Sequence, residues 1–164
     1  MFVAHLPSGY LLSTQLLNRL RNPAVPTGII VAAGMLGAVA PDFDLLYFYL
    51  VDQRQTHHHQ YFSHWPLCWI ALTLIAAAAL RWSRHALPLL AFDLGGLLHM
   101  ALDTLVGDIW WFAPLLDRPF ALFSVPALYQ PWWLNFILHW SFAVELAICA
   151  WAWWVYHARS RPTP

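Results

Sequence analysis

Apolar positions fall into long runs at about 4–20, 27–50, 64–81, 86–106 and 134–156, separated by short polar stretches. A hydrocarbon layer of roughly 30 Å takes about 20 apolar helical residues per crossing. The runs therefore predict an all-α, polytopic transmembrane bundle of about four to five membrane helices. Pro41 interrupts the second run just ahead of Asp42. Because the residue before a proline avoids the α region, this helix is expected to be broken or kinked there. Breaks at membrane depth persist where they line a cavity within the protein. Between the last two runs, the segment 110–133 carries Pro114, Pro119, Pro126 and Pro131. Each removes a backbone donor, which predicts an ordered interfacial loop rather than a helix. With no internal repeat and no linker, one domain spans 1–164.

Composition sharpens this picture. The chain is 60% hydrophobic and 10% charged with no lysine, against about a quarter charged in soluble domains. Tryptophans near the ends of the runs, such as Trp65, Trp82, Trp132 and Trp153, sit where an interfacial belt belongs. Formal net charge is zero and no basic block exists, so nucleic-acid binding is excluded. The bilayer is the expected partner. Cys68 and Cys149 lie in apolar runs and read as small core residues. The first residues lack a charged n-region, so His5 is expected to stay in the mature chain. Arg19 with Arg21, Arg81 with Arg84, and Arg159 with Arg161 mark one common side as cytoplasmic if all five helices cross. The histidine-rich segment would then face outward, toward the periplasm or cell exterior.

That outward half collects His5, Asp42 and Asp44, His57, His58, His59 and His64, and His99 with Asp103. Ionisable groups inside a bilayer are costly unless paired, and a divalent cation neutralises several at once. His99 and Asp103 are four apart on one helical face, able to reach one ion or to bond each other. PDFD at 41–44 places two carboxylates beside the predicted break. There one can bind while the other bridges or orients, or both can simply face a helix dipole. Four histidines within HHHQYFSH make ligation by at least two of them the favoured reading, since imidazole is a common zinc ligand. His139 and Glu145, six apart, fall on different faces of the last helix and should not share one ion.

Several elements resemble the YdjM-type, inner-membrane-associated metal-dependent hydrolases. They are His5, PDFD at 41–44, HQYFSHW at 59–65, HMALD at 99–103 with Gly107, and FAPLLDRPF at 112–120. Gln60, Tyr61 and Ser63 replace the family's Arg, Gly and Thr, but the two histidines keep their five-residue separation. The resemblance selects His59 and His64 over His57 and His58. It implies an inner-membrane hydrolase using one or two divalent ions, zinc best suiting the ligands, to activate water against a phosphoester or ester of lipid-like character. In that scheme His59, His64, His99 and Asp103 are ligands and His5 a further one. Asp42 binds metal or, like Asp44, serves as bridge or general base, and Arg118 could clamp an anionic phosphate. The alternatives are a metal carrier or sensor without catalysis, and a structural membrane protein whose polar groups only pair with one another.

Overall fold

The computed structural model describes residues 3–20 and 24–160. Arg21 and Arg161, each half of a predicted orienting pair, lie outside them. The helices are α1 (His5–Arg19), α2 (Thr27–Gly37), α3 (Asp44–Leu50), α4 (Pro66–Ala79), α5 (Leu87–Asp103), α6 (Leu134–Ile137) and α7 (Trp140–Ser160). No strand occurs among the described residues, so the chain is all-helical, as the apolar runs predict.

The predicted break is present. α2 ends at Gly37, and Pro41 opens a short 3-10 turn, Pro41–Phe43, that leads into α3. A proline tolerates the first helical turn, where its missing N–H has no partner to lose, but not the interior. The two halves are bent by 56°.

The number of membrane spans is where the structure departs from expectation. Among the described residues only the helical stretch Arg84–Asp103 is long and apolar enough to cross a membrane, and the bent pair Thr27–Gly37 with Pro41–Leu50 qualifies only when taken together. Four to five spans are therefore not supported by length and composition. α4 has 14 residues and α1 has 15, about 21–23 Å at 1.5 Å per residue, short of a hydrocarbon core of about 30 Å. α7 is 21 residues long but carries Ser141, Glu145, His157 and Arg159, which lower its apolar character.

α5 is the centre of the bundle. α2 and α1 pack on one side of it, α4 on another, and α7 lies against α1. Glycine makes the α2–α5 contact close: a Cβ on Gly95 would fall 2.7 Å from the Ala38 backbone nitrogen, and one on Gly37 would collide with the Phe92 carbonyl. Small residues let helix backbones approach in this way where lipid supplies no hydrophobic drive. At the end of the bundle away from His5, an apolar core forms from Leu17, Ile30, Leu87 and Ala91. A second, of Trp69, Met100 and Ile109, lies beneath the proline-rich segment. That segment is ordered as expected. Its backbone pairs Ile109 with Phe120, Leu122 and Phe123 donate to the carbonyls of Thr104 and Leu105, and Asn135 binds the backbone of Leu128 and Tyr129.

Candidate metal centre

The polar cluster forms where chain segments end or break. His5 opens α1, Asp42 and Asp44 sit at the break between α2 and α3, and His99 and Asp103 occupy the last turns of α5. His58, His59 and His64 lie on two short 3-10 turns, His58–Gln60 and Phe62–His64, between α3 and α4. All but Asp44, His58 and the partly open Asp42 are buried.

Three imidazoles are fixed through Nδ1. His99 Nδ1 lies 2.8 Å from the Ala38 carbonyl, which the close α2–α5 approach presents to it, and His59 Nδ1 lies 2.9 Å from the Asp108 carbonyl. His64 Nδ1 is 2.6 Å from Asp44 Oδ2, and the Ser63 hydroxyl donates to that same oxygen at 2.6 Å. A carbonyl or carboxylate oxygen only accepts, so each Nδ1 carries the proton, and Nε2 keeps its lone pair when the ring is neutral. This is how protein groups orient imidazole ligands behind a metal.

The Nε2 atoms converge on two carboxylates. Asp103 meets His5 at 3.0 Å through Oδ1, and His99 at 3.2 Å and His59 at 3.5 Å through Oδ2. Asp42 Oδ1 lies 3.6 Å from His99 Nε2 and 3.7 Å from His64 Nε2. Yet the buried Nε2 atoms of His5, His64 and His99 make no hydrogen bond. Two donors bound to one tetrahedral ion at about 2.0–2.2 Å stand roughly 3.3–3.6 Å apart. The observed spacing is thus that of co-ligands, and burying such nitrogens without a partner is otherwise costly. Two ligand groups follow, His5–His99–Asp103 and Asp42–His64–His99, each with its ligand atoms mutually within 4.8 Å. The chemistry of the donors, imidazole nitrogen with carboxylate oxygen, suits zinc.

Protonation differs sharply between two of the loop histidines. Burial works against charge on His64, but the adjacent Asp42 and Asp44 carboxylates outweigh it and raise its pKa to about 9. Burial, reinforced by neighbouring His58, pushes His59 down to about 3.

The cluster lies wholly within one region of resemblance. The chain matches the YdjM inner membrane protein family over residues 1–161. It belongs to that family. No curated protein and no solved structure matches it. The seven residues on which the sequence resemblance rests, His5, Asp42, Asp44, His59, His64, His99 and Asp103, are gathered by the fold. Gly107 has a reason as well: a Cβ there would press within 3.0 Å of the His59 ring. Ser63, which replaces the family's threonine, keeps the hydroxyl that binds Asp44.

Other candidates stand apart. Arg118 is exposed, and no bond joins it to the cluster among the described residues. His57 accepts from the His59 backbone N–H at 3.3 Å, capping its turn, and His139 pairs with Ser141. Glu145 is buried, and its Oε2 accepts from the backbone N–H groups of Val3, at 2.6 Å, and Ala4, at 3.2 Å, immediately ahead of His5. Reading the sequence missed this clamp, and it missed the carbonyls of Ala38 and Asp108. A carboxylate bonding to a distant backbone, or a backbone carbonyl in any role, leaves no mark on residue type.

Proposed function

We propose that this YdjM-family chain is a membrane-bound, metal-dependent hydrolase of a phosphoester or ester with lipid-like character. The observation that carries the reading is the convergence of buried imidazole nitrogens, without hydrogen bonds, on Asp42 and Asp103. When bound, zinc or a similar ion would supply Lewis-acid charge and lower the pKa of water from 15.7 to about 7. The chain's own residues divide the remaining work. His5, His59, His64, His99 and Asp103 hold the ion or ions. Asp42, with a third of its side chain exposed, is the cluster's most accessible carboxylate; it can contribute an oxygen to metal and take a proton from attacking water. Asp44 acts through His64, whose ring it orients. Arg118, on the following loop, is the candidate for meeting an anionic phosphate.

A lipid-like substrate is supported by a groove of about 710 Å³ beside the cluster. Phe43, Tyr47, Phe62, Trp69 and Leu72 make it apolar, and Asp44 and Ser63 form part of its wall. An apolar chain lying there would keep its polar end close to the histidines.

We further read the chain as multi-pass, with the cluster toward the periplasm. α1 runs from His5 to Arg19, and the helical stretch that contains α5 runs from Arg84 to Asp103. Arg159 bonds Asn18 at 2.7 Å. Arg19, Arg84 and Arg159 therefore gather at the end opposite the cluster, with Arg54 and Arg118 on the cluster side, a bias in the sense of the positive-inside rule.

The test is metal analysis of detergent-purified protein alongside hydrolysis of a panel of esters and phosphoesters, with His99→Ala as the comparison. Bound metal, chelator-sensitive hydrolysis and loss of both in His99→Ala are expected. Metal-free protein with full stability and activity would sink the proposal. Metal bound without any hydrolysis would favour the carrier or sensor.

A further inference from the structure

We infer that the cluster holds two divalent ions and that His58, outside the family's His59/His64 pair, is a ligand of the second. The inference rests on reading the cluster as a metal centre. Among the described residues, three groups have ligand atoms within 4.8 Å of one another inside each group: His5–His99–Asp103, Asp42–His64–His99 and His58–His59–His64. His99 and His64 have Nδ1 committed to Ala38 and Asp44, so each offers one nitrogen, and one lone pair serves one ion. Only two of the groups share no residue, His5–His99–Asp103 and His58–His59–His64. The remaining group borrows one histidine from each. Two ions therefore divide between the disjoint groups, one to each.

The residue left over is Asp42, placed between the two, 3.6 Å from His99 and 3.7 Å from His64. A carboxylate has two oxygens and can bridge neighbouring ions, as two-metal hydrolytic sites with ions about 3.5–4 Å apart require. Polar atoms around His58 point the same way. Its Nδ1 is buried without a hydrogen-bond partner, and it faces Asp44 Oδ1, equally partnerless, at 3.7 Å. That gap is too long for a hydrogen bond, so the His58 nitrogen is left without a partner from the chain. His57, one residue earlier, belongs to none of the groups.

The experiment is metal-to-protein stoichiometry of the full chain in detergent after loading with Mn²⁺, read by elemental analysis and by electron paramagnetic resonance. Wild type should bind two equivalents with the spectrum of a coupled pair. His58→Ala and His58→Gln should each bind one, with an uncoupled Mn²⁺ spectrum, while His57→Ala keeps two. Wild type with a single equivalent, or His58 variants that keep two, would overturn the inference while leaving the metal centre standing. Wild type with none would overturn both.

Discussion

Asp44 and Asp42 are two residues apart in the sequence, yet the fold gives them different surroundings. Asp44 is held between the Ser63 hydroxyl and His64 Nδ1, whereas Asp42 faces Nε2 atoms and is partly open. Replacing a carboxylate that orients a metal-binding imidazole costs about 10–100-fold in affinity or activity. Asp44→Asn should therefore weaken metal binding by about that factor, measured by competition with a chelator. Asp42→Asn should lose more hydrolysis than metal. Equal turnover in both variants and wild type would remove the carboxylates from the reaction. Protonation adds a second expectation. An ion binding His64 must displace a proton that is held up to about pH 9, while His59 carries none above about pH 3. Apparent affinity should climb roughly tenfold per pH unit through neutrality and level off near pH 9. In metal-free protein the sign reverses. A raised imidazole pKa stabilises fully below the unfolded value near 6.5, and that contribution fades as pH rises through about 9. Thermal melts of metal-free protein across this range would reveal it.

Among the helices, α7 influences the cluster without contributing a ligand. Its Glu145 binds the backbone N–H groups of Val3 and Ala4, fixing the start of α1 so that His5 stacks on His99 at 3.8 Å and reaches Asp103. Removing the acceptor leaves two donors without that partner, at about 1–3 kcal/mol for a buried group. Glu145→Ala should lower stability by about that amount and weaken metal binding through a displaced His5. Glu145→Gln keeps an acceptor oxygen and should recover most of both. Thermal shift with chelator titration checks this, and an Ala variant matching wild type in metal affinity would confine Glu145 to packing. A comparable dependence holds between α2 and α5. The glycines that bring their backbones together also deliver the Ala38 carbonyl to His99, so packing and ligand orientation arise from one contact.

For the molecule as a whole, the proposed orientation sets Arg19, Arg84 and Arg159 toward the cytoplasm and the cluster toward the outside. Labelling of Gln55→Cys and Ser160→Cys in intact cells should differ, with position 55 reached from outside and position 160 only after permeabilisation. The reverse pattern would overturn the orientation and leave the metal centre untouched.

Much of the fold is legible in the sequence because hydrophobic runs and proline act locally. The helices, the break at Pro41 and the ordered proline-rich segment follow from backbone sterics and burial along a single stretch of chain. The residues of the cluster are legible for a related reason: charge in an apolar run is costly, so His and Asp stand out wherever the ends of the runs carry them. Helix length is less legible, since polar residues such as Glu145 and Ser141 can be buried by partners that the sequence does not name. Only the tertiary structure decides which nitrogen of His99 and His59 is committed, because Ala38 and Asp108 take part through the backbone that every residue shares. It also separates the roles of Asp42 and Asp44. Sequence places them side by side, while the neighbours that distinguish them, Ser63, His64 and His99, arrive from other helices and loops.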